Sequence, residues 1–253
     1  MTWYMDHARG SGSGVDGVPD DGTERGSTFV SRGRPDSTDA YGATFLILAN
    51  AAERSGNPML RALLVERKQD VLRIASSILA TLQPNGLTFS RPQHPFAYAI
   101  DNMQVYRGLL DGAALMESAY GASARAGTMR AEAAVVHGGI EHVLWDEATQ
   151  SYRPVVNAQG IGAPADLTRA YPDALAQVMA IVYGIVSPTS VRASALLARA
   201  SASLLVPVDG DVAEYRQLVD LAREMTGAPF PIDTTFDPPP ICADAGWYLI
   251  RTH

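Results

Sequence analysis

Four short stretches place an aspartate close to an aromatic residue. They are Asp36-Ser37-Thr38-Asp39-Ala40-Tyr41, Asp101-Asn102-Met103-Gln104-Val105-Tyr106, Tyr171-Pro172-Asp173 and Asp244-Ala245-Gly246-Trp247-Tyr248. From Asp39 onward the aspartates recur at intervals of about 60 to 70 residues, a regularity that suggests one structural unit used several times. Two carboxyl groups across one cleft, one of them an acid with a raised pKa, are what cleavage of a glycosidic bond requires. Aromatic rings supply the flat apolar faces on which the C–H faces of sugars stack. The candidate acids and bases are Asp39, Asp101 and Asp173, with Asp36 and Asp244 as second choices. Asp101 is favoured because Asn102 beside it suits a sugar hydroxyl, and Asp39 because its helix carries Tyr41. Tyr41, Tyr106, Tyr171, Trp247 and Tyr248 are the candidate stacking platforms.

Each residue also has a plainer explanation. An aspartate at a helix start accepts from unpaired backbone N–H groups and meets the positive end of the helix dipole. Capping therefore accounts for any one of these aspartates, and only their convergence argues for a site. Asp36-x-x-Asp39 has the spacing of a magnesium–diphosphate pair, but it begins a helix and no second acidic motif follows. The five histidines are scattered; His137 and His142 do not share a helix face well, and His94 sits between two prolines on a loop. Gly138-Gly139 and Gly160-Ile161-Gly162 lack the strand, helix and lysine of a phosphate loop. Glu53, Glu66 and Glu117 read as solvated helix faces, and Cys242, the single cysteine, as a small apolar residue. No metal or organic cofactor is implied.

The elements that must position these residues are helices. Residues 1–38 form an irregular N-terminal segment rich in Gly, Asp and Ser, and the remaining 39–253 form one helical domain. Tyr41, Phe45, Leu48, Ala49 and Ala52 recur with helical spacing from Asp39 until Ser55-Gly56-Asn57-Pro58 stops the helix. Further helices are predicted at 59–82, from Phe96 or Asp101 to 120, and at 124–144, 167–186, 189–204, 212–225 and 243–253. Trp145 to Val155 reads as an exposed turn between two short strands. Eight helices with short links make an all-α protein of helical hairpins.

Composition narrows the function classes. The 253 residues are 47% hydrophobic and 19% charged, the profile of a globular chain. A net charge of −7, with Lys68 the one lysine, argues against binding nucleic acid through its phosphates and suits neutral or cationic substrates. One cysteine excludes an internal disulfide framework. No stretch is apolar and long enough to span a membrane, and the N-terminus lacks a signal layout, which favours the cytoplasm. Met1-Thr2-Trp3-Tyr4-Met5-Asp6 reads instead as mid-domain sequence, in keeping with a processed fragment whose parent would be secreted or periplasmic. The sequence carries no signal of oligomeric state.

Taken together, the Asp/Tyr phrases opening alternate helices, the Trp145–Tyr152 turn after another helix, and Tyr171-Pro172-Asp173 resemble the (α/α) toroid, or six-hairpin glycosidase, superfamily. The resemblance covers residues 36–253 loosely and implies a bacterial glycoside hydrolase-like protein with a carbohydrate partner. It places the active site in a funnel at the N-terminal ends of inner helices. Eight helices against the twelve of a full ring imply an incomplete toroid. A second reading is a non-catalytic helical module that binds a polysaccharide or scaffolds a larger assembly.

Overall fold

In a computed structural model the structure describes residues 1–8, 15–20, 22–25, 28–205 and 212–227. The described residues are mostly helical: α1 (Thr2–His7), α2 (Asp39–Arg54), α3 (Pro58–Glu66), α4 (Lys68–Ser77), α5 (Ala99–Tyr120), α6 (Ser123–Gly139), α7 (Leu175–Val182), α8 (Val191–Leu204) and α9 (Val212–Thr226). Two π-helical turns, Ile140–Leu144 and Ala170–Ala174, follow α6 and precede α7. Short strands pair antiparallel as β1 (Gly22–Arg25) with β2 (Thr28–Ser31), β3 (Phe96–Tyr98) with β6 (Val155–Asn157), and β4 (Trp145–Asp146) with β5 (Ser151–Tyr152). The protein is all-α in character.

Local chemistry sets most boundaries. Asn57 caps α3 by accepting from Met59 N at 3.0 Å, with Pro58 in the first turn where its missing N–H is harmless. Gly121, in the left-handed region at φ 60°, ends α5. Ser190 caps α8 through Ala193 N at 3.1 Å. The helix expected over 59–82 is two. Arg67 leaves helical geometry (φ −95°, ψ 22°) where the apolar stripe runs on without interruption. Its guanidinium and that of Arg73 both bond the buried carboxylate of Asp70. The N-terminal segment, expected to be irregular, contains α1 and the β1–β2 hairpin. The eighth expected helix, with Cys242 and His253, lies outside the described residues.

Helices α2 and α5 run side by side in the same direction. Asp39 faces the start of α5, Gly108 abuts Ala43, Gly112 abuts Leu46, and Asn50 donates to Asp111 at 2.8 Å. The approach is close because Gly108 has no side chain: a Cβ there would stand 2.6 Å from the Cα of Ala43. Helix α6 returns along α5, with Met129 against Gly112, and α8 and α9 pack on α7. One apolar core runs through all of these helices, including Leu46, Met103, Leu109, Met129 and Ile181. Parallel helices joined by returning ones bring their N-terminal ends to the same side of the molecule.

The hairpin after α6 is less exposed than expected. Tyr152 is fully buried, donating to Glu141 Oε1 at 2.5 Å. The Arg192 guanidinium lies 3.5 Å above the Trp145 ring and bonds both Glu141 and Tyr152, tying the hairpin to α8. The remaining strand of this region, β6, pairs with β3 and so holds the entry to α5.

Candidate functional site

The first turn of α2 builds one wall of the site. Thr38 turns away, its Oγ1 donating to Ser90 O at 3.0 Å. The cap is made instead by Ser37 and Asp39, whose Oγ and Oδ1 both accept from Ala40 N, at 3.2 and 2.8 Å. Asp39 is fully buried. It accepts from Ser37 Oγ at 2.6 Å and from Thr88 Oγ1 at 2.5 Å. Burial pushes its pKa up, and these hydrogen bonds only partly offset the loss of water.

The first turn of α5 builds the facing wall. Asp101 Oδ2 lies 3.5 Å from Ser37 Oγ. The oxygens of Asp39 and Asp101 that flank this hydroxyl are therefore no further apart than the two contacts laid end to end. Burial holds Asp101 well above the usual carboxylate range, and the charges of Asp39 and Asp36 push the same way. Asn102 is fully buried beside it, giving Nδ2 to Thr88 O at 3.1 Å and Tyr98 O at 2.9 Å and accepting from Thr88 N at 2.8 Å. These bonds tie Thr88, and through it Asp39, to the start of α5.

In front of Asp101 opens a cavity of about 600 Å³. Asp36, Ser37 and Tyr41 line it from the start of α2, Asp101 from the start of α5, and Trp3, Tyr4 and Asp20 from the N-terminal segment. Asp36 is exposed, whereas Asp101 is half-buried at the surface of the cavity. The Tyr4 ring packs on Phe45 at 4.9 Å, and burial raises its phenol pKa. No lysine, arginine or histidine side chain is among the described residues of this lining, so the wall is acidic.

Beside the cavity stands a second group of rings. Tyr98, the last residue of β3, has its phenol pKa raised by burial and then by Asp101 and Asp36. The Tyr171 phenol is raised by burial, Asp101, Asp36 and Tyr98, which sets this 63%-exposed ring by the same two carboxylates. His94 Nε2 lies 3.0 Å from the Tyr98 hydroxyl.

The remaining expected residues fall elsewhere. Asp173 is buried; it accepts from Asp166 N at 2.8 Å through Oδ1, and its Oδ2 lies 3.7 Å from Arg169 Nε. Tyr106 packs against His137, ring centroids 5.3 Å apart, and is not among the cavity residues. Asp244, Trp247 and Tyr248 lie outside the described residues. No motif in the sequence points to Tyr98, Thr88 or Asp20. Only Tyr98 left a trace there, in the apolar triplet Phe96-Ala97-Tyr98 ahead of Asp101. Among the described residues no three His, Cys, Asp or Glu side chains are grouped to hold a metal ion, and no helix is long and apolar enough to cross a membrane.

No family model matches the chain, and no curated protein matches it. Among solved structures it is similar to the GH78 family rhamnosidase of Bacillus sp. GL1, with a TM-score of 0.55 at 19% identity. The match covers 79% of this chain and 21% of that one. The helical fold is glycosidase-like. The chain spans about a fifth of the rhamnosidase's length.

Proposed function

We propose that this chain acts on carbohydrate, hydrolysing a glycosidic bond of an oligo- or polysaccharide at the cavity between the starts of α2 and α5. The observation that carries the reading is Asp101: a carboxyl at the cavity wall, pushed toward its protonated form by burial and two neighbouring carboxylates, in the same lining as the exposed Asp36. A raised carboxyl and an ionised one are the two groups glycoside hydrolysis uses. Asp101 is the acid. Asp36 is the base or nucleophile, since it alone of the nearby aspartates stands exposed. Asp39 is a positioning residue that acts on Asp101 through its charge.

Tyr41, Tyr171 and Trp3 give the sugar its stacking faces, and the acidic wall suits neutral or cationic sugars. The resemblance to a rhamnosidase fold supports a glycan as substrate. The parallel starts of α2 and α5, with Tyr171 ahead of α7 beside them, fit a rim of the (α/α) ring.

One observation favours a second reading, a binding module without turnover. Asp39 and Asp173 are sealed from solvent, which leaves few carboxyls to reach a substrate. Incubation with a panel of soluble polysaccharides, followed by reducing-end release and by affinity electrophoresis, separates the two. Release of reducing ends supports hydrolysis; retardation in the gel without release supports the module; neither result removes carbohydrate from the account.

A further inference from the structure

The rings of Tyr98, His94 and Phe96 follow one another just ahead of Asp101, whose side chain lines the acidic cavity. Tyr98 and Tyr171 stand within the field of Asp36 and Asp101. The His94 ring is nearly parallel to that of Tyr98, 6.0 Å away and 10° from coplanar, and its other neighbour is Phe96 at 4.8 Å. Phe96 is 39% exposed and Tyr171 63%.

The group is also held rigidly. Phe96 and Tyr98 lie on β3, whose register with β6 is fixed by the Phe96–Asn157, Ala97–Val156 and Tyr98–Val155 pairs. The hydrogen bond between His94 and Tyr98 fixes the two rings relative to each other. Next to Phe96, across the strand pair, Asn157 accepts the turn N–H groups of Gln159 and Ile161, and Ile161 is itself exposed. Rings ordered before binding lose little entropy when a ligand stacks on them.

We propose that Phe96, His94, Tyr98 and Tyr171 form a sugar-binding shelf that continues the cavity, so that the site takes a neutral oligosaccharide chain longer than the cavity alone can hold. The inference rests on the carbohydrate reading above and adds where the rest of the chain lies. Tyr98 at the start of α5, three residues before Asp101, sets the group beside the cavity, and the acidic wall there narrows the occupant. Sugar rings present apolar faces to aromatic rings along their length and place no charge against the acidic wall. A cavity of this volume falls within the roughly 300–1,000 Å³ that encloses a ligand of drug size, so further sugar units must lie outside it.

The test is calorimetric titration of size-fractionated cello-, xylo-, manno- and malto-oligosaccharides, from disaccharide to hexasaccharide, into wild type, Phe96→Ala, Tyr171→Ala and Tyr41→Ala. Affinity of the wild type is expected to climb with chain length for the series it binds. Phe96→Ala and Tyr171→Ala each weaken the hexasaccharide by about two- to tenfold, the worth of one aromatic contact, and the disaccharide less. Tyr41→Ala weakens every length. Affinity that stays flat beyond the disaccharide, or shelf variants that weaken all lengths equally, overturns the shelf and leaves the cavity reading standing. Wild type that binds no member of any series overturns both.

Discussion

The carboxyl groups of Asp39 and Asp101 flank one hydroxyl. Ser37 Oγ donates to Asp39 at 2.6 Å and lies 3.5 Å from Asp101. Ser37 Oγ also accepts from Ala40 N. Its longer bond to Asp101 favours the ionised carboxyl there, but burial and the charges of Asp39 and Asp36 outweigh it. The fully buried member of the pair thus biases the member that reaches the cavity.

The first prediction follows from that bias. If Asp101 works as an acid, activity declines as pH rises through its raised pKa. Asp39→Asn removes the second cause of that elevation, the neighbouring negative charge, and lowers the Asp101 pKa. The alkaline limb of the kcat profile is expected to move to lower pH. A limb that stays in place, measured across the same buffers, separates Asp101 from Asp39.

Stability carries the same signature with a definite sign. Asp101 binds its proton more tightly folded than unfolded, so between the unfolded and folded pKa values the native state holds more protons. Stability contributed by this group is present at low pH and is lost as pH rises through that window. Asp101→Asn removes the penalty. Its Tm near neutral pH is expected to exceed that of wild type, with the difference shrinking as the solution is made acidic. An unchanged or lowered Tm at neutral pH contradicts the assigned burial of charge.

Asn102 gives a different outcome from its neighbour. Its amide satisfies the backbone of Thr88, so Asn102→Ala leaves the buried N–H and C=O of Thr88 without this partner. The expected loss is about 1–3 kcal/mol of folding stability in a urea titration, and the variant is the direct check on the hydroxyl-binding role the sequence suggested for this residue. A change confined to KM, at wild-type stability, restores that role.

The parallel contact of α2 with α5 is testable at two glycines. Alanine at 108 drives its Cβ into the Ala43 backbone, which has no freedom to give way. Alanine at 112 meets the tips of Leu46 and Met129, which can rotate aside. Gly108→Ala is expected to cost about 1–3 kcal/mol, toward the upper end of overpacking, and Gly112→Ala less. Equal costs in chemical denaturation contradict this packing.

The placement of Asp39 and Asp101 could be read in the sequence because helix starts advertise themselves. Asp39 and Asp101 sit in first turns, as their apolar periodicity and capping chemistry implied, and Tyr41 reaches the cavity. Which aspartate would be sealed could not be read. Asp39 is buried because Thr88, from a loop far along the chain, closes over it. Tyr106 lies past the first turns and rotates onto His137, a pairing set by the return of α6. The break between α3 and α4 is invisible in an unbroken apolar stripe, since Arg67 and Asp70 make it through a side-chain bond. The strand Phe96–Tyr98 ahead of α5 forms by pairing with β6, a contact between distant segments that no local pattern encodes.

The central claim is that Asp101 is the acid of a glycosidic cleavage. Its most direct test is the initial rate of reducing-end release by wild type and Asp101→Asn on the polysaccharide that wild type degrades fastest, with far-ultraviolet circular dichroism confirming that both are folded. Loss of about 10²- to 10⁴-fold in kcat, the range for removing a positioned acid, is the expected result. A folded Asp101→Asn that turns over as fast as wild type contradicts it.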